Sequence, residues 1–246
     1  MQALLENINQ LFNFSGFMES FPELLRCIPV TLGIGLLSFA IGLVIGLLVA
    51  LVRIYKVPVL QGICKFYISF VRGTPLVVQL FMANYGVARI IYYLQMHTET
   101  FANFNANVIK PEYYGLLAFS LNLGAYLSET IRSAIEAVDR GQFEAAKSIG
   151  MTGKQMMQRI ILPQAARVAL PNLNNTLINT VKDTSLLFTI GIIDLMGRAK
   201  IYGARTLHIF EGYIAVSVLY WIISFTFEKA FTAFEKKLKA SEREID

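Results

Sequence analysis

Apolar residues in this chain are collected into long uncharged runs rather than spread at a regular spacing. From Cys27 to Val52 no residue is charged, and Arg26 and Arg53 frame the run. A segment of that length predicts a helix that crosses a bilayer with some tilt. Gly33, Gly35, Gly42 and Gly46 punctuate it, at spacings that let neighbouring helices approach closely. Further spans are predicted at about 76–96, interrupted by Arg89, at about 113–134, at about 168–193 with Lys182 and Asp183 in its middle, and at about 212–227. The breaker Arg72-Gly73-Thr74-Pro75 precedes the second span, and Thr-Pro disfavours continued helix there.

Charges between the runs order these spans. Arg53, Lys56, Lys65 and Arg72 stand in one connection without an acid, basic residues outnumber acidic ones between Glu129 and Arg167, and the tail carries Lys229, Lys236, Lys237, Lys239 and Arg243. These segments are expected inside the cell. The start of the chain, with Glu6, Glu19 and Glu23 against Arg26, and the connection from His97 to Glu112 are expected outside. The segment from Asp194 to Glu211 is mildly basic, yet alternation places it outside as well. The prediction is an all-α membrane protein of about five transmembrane helices, N-terminus outside and C-terminus cytoplasmic. It forms one membrane domain over 1–246 with its core at 24–234. The acidic start is the wrong charge for a signal peptide, so no cleavage is expected. The stretch from Thr100 to Val108 is expected to form a short external cap or docking surface, and the basic end around Phe227–Phe234 to anchor at the inner leaflet.

Composition agrees with this reading. The 246 residues are 55% hydrophobic and 16% charged, and mean hydropathy is +0.52. A net charge of +5 would by itself suggest a nucleic-acid partner, but the basic residues lie between apolar runs instead of forming one stripe, so none is expected. Cys27 and Cys64 fall near opposite membrane faces in the predicted topology and are not expected to pair. No Cys/His cluster predicts a metal site, and His97 and His208 read as isolated surface or interfacial residues.

One connection is built for docking. In the loop 139–163, Gly150 is placed to end a short helix in a left-handed cap, and Thr152 with Gln155 has the spacing of a capping box that starts a second helix. Pro163 is expected to mark the far end of that second helix. Glu144 is expected in the first turn of the first helix, and Ala145 and Ala146 make it thin enough to lie in a groove on a partner.

Glu144-Ala145-Ala146, Gly150, Ile160, Leu162 and Pro163 match every fixed position of E-A-A-x3-G-x9-I-x-L-P, and the chain thereby resembles the permeases of binding-protein-dependent ABC importers. The resemblance implies that Gly141, Phe143, Glu144, Ala145, Ala146, Gly150, Leu162 and Pro163 couple to an ATPase. It also implies two ATPase subunits that bind ATP and Mg, a second permease subunit, an extracytoplasmic solute-binding protein, and a place in a bacterial cell membrane. No G-x4-G-K-[S/T] occurs in the sequence, so this chain is expected to bind no cofactor and to be no enzyme. Arg72-Gly73-Thr74-Pro75-Leu76 through Gln79-Leu80, Gly124-Ala125-Tyr126 with Glu129 and Arg132, and Lys182-Asp183-Thr184-Ser185-Leu186 are similar to the polar amino-acid branch. Gly197-Arg198-Ala199 followed by Gly203-Ala204-Arg205 is similar to cystine-type permeases.

Independently of the family, two spans carry polar stripes. Asn172, Asn175, Thr176, Asn179, Lys182 and Asp183 share one side of the fourth, and Asn122, Tyr126, Glu129 and Ser133 one face of the third. Such groups are costly near the bilayer interior unless they face a cavity or one another. They are read, with Gln79, as lining a path for a zwitterion. The alternatives are helix–helix hydrogen bonding for the asparagines and a structural break or local ion pair for Lys182-Asp183. Three competing functions remain at this point: the same machine moving another solute such as a metal, a peptide or a sugar; an ion channel, which would need no docking helix; and a membrane enzyme such as a lipid transferase, for which no catalytic cluster is present.

Overall fold

In the computed structural model the described residues are 12–98 and 109–243, with side chains described through Lys236. The predicted external stretch from Thr100 to Val108 and Glu6 lie outside what is described, as do the side chains of Lys237, Lys239 and Arg243. Among the described residues every regular element is helical. In chain order these are α1 (Phe14–Leu25), α2 (Ile28–Ile54), α3 (Leu60–Gly73), α4 (Leu76–Phe81), a π-helical turn (Met82–Gly86), α5 (Val87–His97), α6 (Pro111–Glu136), α7 (Arg140–Ser148), α8 (Gly153–Met156), a second π-helical turn (Met157–Ile161), α9 (Leu162–Asp183), a 3-10 segment (Thr184–Ile190), α10 (Leu195–Thr206) and α11 (Ile209–Arg243).

Among the described residues three stretches are long and apolar enough to cross a membrane by length and composition: Ile28–Ile54, Leu76–His97 and Ile209–Lys236. The helices α6, with 26 residues, and α9, with 22, have the length, but their polar faces dilute the apolar character. Between Gly73 and Leu76 the break is as expected. Thr74 is extended, at φ −119° and ψ 144°, because the following Pro75 excludes the α conformation there.

Several expected boundaries are corrected. The connection from Arg53 to Arg72 folds its second half into the amphipathic α3, which buries Ile68 and Val71. The α-helix of the fourth predicted span begins earlier, at Leu162, and ends at Asp183, after which the chain tightens into the 3-10 segment. Lys182 and Asp183 therefore stand where the α-helix gives way to the 3-10 segment. Helices α1 and α10 were not anticipated.

The chain divides into two compact units. The first comprises Met1–Leu36, Leu80–Leu116 and Ile178–Asp246. Its core is Leu24, Cys27, Leu195, Ala199, Ala215, Val216 and Leu219, with Phe17 and Phe21 packed against it. Polar ties close around this core: the Tyr202 hydroxyl donates to Gly16 O at 2.6 Å, the Asn13 N–H donates to Glu211 at 2.7 Å, and Arg205 pairs with Glu23.

The second unit comprises Leu37–Gln79 and Leu117–Leu177. Within it α2 and α6 are in near-backbone contact. A Cβ on Gly42 would lie 2.6 Å from Leu123 Cβ, one on Gly46 2.9 Å from Leu127 Cβ, and one on Gly124 2.5 Å from Ile45 Cγ2. This is the close approach expected of small residues four apart. Further along α6, Ala134, Ile135 and Val138 bury against Met157, Ile161, Ala165 and Ala169.

Candidate functional site

The docking loop is assembled from local signals. Asp139 accepts the Gly141 N–H at 2.6 Å and caps α7, and Gly150, at φ +75°, turns the chain out of it in the left-handed conformation a glycine adopts without strain. Thr152 and Gln155 form the predicted capping box of α8, with Gln155 N–H donating to Thr152 Oγ1 and Thr152 N–H to Gln155 Oε1 at 2.9 Å. Two expectations are corrected. Because Asp139 starts the helix, Glu144 lies beyond its first turn, in mid-helix. Pro163 does not end the second helix: the π-helical turn accommodates the strain, and Pro163 sits in the first turn of α9, where its missing N–H is tolerated.

The two faces of α7 differ. Phe143 is half-buried and Ala146 is buried, at 1% exposure, so both anchor the helix onto its own unit. Gly141, Glu144 and Ala145 are exposed. Ile149, one turn after Ala145, is 75% exposed, an apolar knob the sequence reading passed over. Leu162 is half-buried and Pro163 exposed, at the root of the loop.

Also in the second unit is a polar cluster where α3, α4 and α6 meet. The Gln79 amide nitrogen donates to Val71 O at 2.8 Å, Thr74 O at 3.1 Å and Thr74 Oγ1 at 2.9 Å, which satisfies the end of α3. Its amide oxygen accepts from Asn122 Nδ2 at 3.0 Å. One helical turn along α6, Tyr126 is 43% exposed, and the Arg72 guanidinium stacks over its ring at 5.3 Å. Gln79, Asn122 and Tyr126 are thus brought together. Glu129 has another occupation: it pairs with Arg53 and with Arg132, the latter at 2.8 Å, and Arg132 continues to Glu136 at 2.6 Å. Its carboxylate is neutralised within the chain. On α9, Asn172 and Asn175 are exposed while Leu177 is buried.

In the first unit, Asn179, Lys182 and Asp183 are exposed and Val181 is buried, which places the polar side of α9 where the sequence put it. Lys182 lines a cavity of about 520 Å³ together with Ser185, Tyr213, Ser217, Tyr220 and Trp221. The Tyr220 hydroxyl donates to Asp194 Oδ2 at 3.0 Å, and the Gly197 N–H donates to Oδ1 at 2.8 Å. Asp194 is fully buried as the N-cap of α10, and burial pushes its carboxyl up against the opposing pull of these hydrogen bonds. The sequence did not reveal the contact of Arg53 with Glu129 or that of Tyr220 with Asp194. Only the pattern of Asp194 three residues before Gly197 carried a signal, that of a helix N-cap. Among the described residues no group of His, Cys, Asp and Glu is placed to hold a metal, and Cys27 and Cys64 are free.

Comparison with known proteins bears on this geometry. Residues 42–240 match the family described as binding-protein-dependent transport system inner membrane component. The L-cystine transport system permease protein TcyL of Bacillus subtilis (strain 168) is 38% identical, over 97% of this chain and 96% of its own length. The L-cystine permease protein TcyB of the same organism is 42% identical, over 88% and 87%. A crystal structure of an amino acid ABC transporter with histidines superposes with a TM-score of 0.78 at 33% identity, covering 92% of this chain and 98% of that one. The MetNI methionine ABC transporter, at 19% identity and a TM-score of 0.62, shares the fold. The chain belongs to the family of binding-protein-dependent transport system inner membrane components: it is a multi-pass bacterial membrane protein and a transport permease subunit of an ABC importer, not an enzyme.

Proposed function

We propose that this permease forms the translocation path for a polar amino acid, with L-cystine the first candidate, and that it spans the membrane five times with its N-terminus outside and its C-terminus in the cytoplasm. The charge asymmetry of the connections supports the orientation. The stretch Leu76–His97, the helices α2, α6 and α9, and the first part of α11 supply the five crossings. The names of the relatives, two of them L-cystine permeases, support the cargo.

The observation that carries the path is the exposed polar side of α9. Asn172, Asn175, Asn179 and Lys182 project from the side of α9 opposite the buried Leu177 and Val181, and a lipid-facing helix would bear their desolvation without return. Asparagine both donates and accepts, which suits the ammonium and carboxylate of a zwitterion. Gln79, Asn122 and Tyr126 extend the lining, and Asp183 stands beside Lys182. Glu129 belongs to the ion-paired end of α6 and serves the path through its position, not as a free charge.

Two ATPase subunits, which bind ATP and Mg, dock on the exposed face of α7. A second permease subunit completes the path, and an extracytoplasmic solute-binding protein delivers the solute. ATP-driven closure of the ATPases then opens the path outward in an alternating-access cycle. The test is uptake into proteoliposomes carrying the permease, its ATPase and its binding protein, with a panel of amino acids as competitors. Competition by cystine or another polar amino acid is expected; indifference to the whole panel, with uptake of a sugar or a metal instead, overturns the cargo. Flux that persists without the ATPase would return the ion channel as the better reading.

A further inference from the structure

Arg72 stands out among the charged groups of the second unit. It lies in the last turn of α3, where a cation is ordinarily explained by the exposed carbonyls of the helix end. Two of those carbonyls are already served: Thr74 Oγ1 donates to Phe70 O at 3.0 Å and Gln79 donates to Val71 O, as it does to Thr74 O just beyond the helix. Nor does Arg72 act as the counter-ion of an acid. The acids on the inner half of α6, Glu129 and Glu136, are committed to Arg53 and Arg132, and Arg72 has no ion pair or hydrogen bond among the described residues. Its one fixed relation is the stack on Tyr126, 5.3 Å from the ring centre, with the side chain exposed.

By charge Arg72 counts with the inner connection, yet α3 carries it to the level of Tyr126 on α6, and that depth makes its charge costly. In the five-span topology α6 runs inward from Pro111 to Glu136, and Tyr126 lies about 15 Å from its inner end and about 22 Å from its outer end at 1.5 Å per residue. Both distances fall within a helix that traverses a hydrocarbon layer of about 30 Å. A guanidinium held there without an internal anion is retained for something it meets. Held over the ring 5.3 Å from its centre, the guanidinium keeps its five N–H donors free of acceptors among the described residues, and such a fork can take a carboxylate bidentately.

We propose that Arg72, oriented by Tyr126, is an anion-recognition residue of the path that pairs with the α-carboxylate of the transported amino acid. This rests on the reading of the chain as an amino-acid permease. Gln79 and Asn122 set the frame: they lock the end of α3 to α6, so that Arg72 and Tyr126 keep their register. The pairing selects for carboxylate over carboxamide, because a neutral amide offers the guanidinium one acceptor and no charge.

The test is equilibrium binding of radiolabelled L-cystine and L-glutamine to the purified permease–ATPase complex without binding protein, with L-glutaminamide as competitor, for the wild type, Arg72→Lys and Arg72→Gln. For whichever amino acid the wild type binds, Arg72→Gln is expected to weaken affinity roughly 10- to 100-fold and Arg72→Lys several-fold, since lysine keeps the charge but not the fork. The weaker binding of glutaminamide should be the same in all three. Affinity within twofold of wild type in Arg72→Gln overturns the proposal, and so does an equal loss for amino acid and carboxamide, which would mark Arg72 as structural. Should Arg72→Gln fail to co-purify with the ATPase, Arg72→Lys decides by the same comparison. A wild-type complex that binds neither amino acid overturns the cargo assignment itself, a result distinct from wild-type binding that Arg72→Gln leaves intact.

Discussion

Arg53, at the end of α2, and Glu129, on α6, form an ion pair across 76 residues of sequence, and Arg132 reaches the same carboxylate from the next turn. One acid thus serves two guanidinium groups that are each mostly buried, with side-chain exposures of 17% and 29%. Removing the acid leaves both cations without it. Glu129→Gln is therefore expected to destabilise the protein by about 2–4 kcal/mol, and Arg53→Gln by less, since Arg132 still neutralises the carboxylate. Thermal unfolding of the detergent-solubilised permease–ATPase complex measures both; equal losses would mean that the two arginines do not share the acid.

The glycines of α2 differ in what surrounds them. Gly42→Ala and Gly46→Ala push a Cβ into α6 at 2.6 and 2.9 Å, whereas a Cβ on Gly33 would meet nothing within 4 Å. Substitution at 42 or 46 should cost about 1–3 kcal/mol by forcing the helices apart, and Gly33→Ala should be neutral or slightly stabilising. Folded yield and the melting temperature of the three variants distinguish them.

On α7 the two alanines of the loop have different surroundings, and larger residues should fail in different ways. Ala145→Trp or Ile149→Asp alters the exposed face and is expected to leave the permease folded but unable to retain the ATPase on co-purification. Ala146→Trp enters a site of 1% exposure and should lower the amount of folded permease instead. Folded permease that still retains its ATPase with Trp at 145 and Asp at 149 together would place the docking face elsewhere.

Asp194 holds two donors in a buried site. Asp194→Ala orphans the Gly197 N–H and the Tyr220 hydroxyl and should cost about 2–4 kcal/mol. Because burial favours the uncharged carboxyl there, Asp194→Asn should cost distinctly less. Chemical denaturation of the pair, read by Trp221 fluorescence, separates the two; Asn as damaging as Ala would mean that the negative charge is required.

In the path, Asn175→Leu and Asn179→Leu are expected to lower uptake about tenfold each with little change in stability, because both side chains are exposed and neither has a hydrogen-bond partner among the described residues. Transport at the wild-type rate in the double variant would return these asparagines to helix–helix hydrogen bonding.

What the sequence revealed divides by range. The charge-free run of α2, the Thr-Pro break before Leu76, the left-handed Gly150 and the Thr152–Gln155 box are all settled by a few neighbouring residues, and each was legible. Pro163 misled because a proline usually marks a helix boundary, and the neighbouring π-helical turn that accommodates it has no signature in residue type. Helices α1 and α10 were hidden for another reason: tertiary contacts such as Tyr202 with Gly16 and the Asp194 cap hold them. At the site, the polar faces of α6 and α9 followed from helical spacing alone. The pairing of Glu129 with Arg53 and the placement of Arg72 over Tyr126 join residues far apart in the chain, and spacing within one helix cannot predict them.

The contact of Gly42 and Gly46 with α6 also limits how the molecule can move. Two helices whose backbones already touch have no slack in which to slide or rotate, since any shift drives main chain into main chain. Within the second unit α2 and α6 must therefore travel as one body, and Ala134, Ile135 and Val138 fasten the root of the docking loop to that same body. A push received at Ala145 and Ile149 is then carried through the unit without loss in its own joints. Whatever bending an access cycle requires must take place outside this pair.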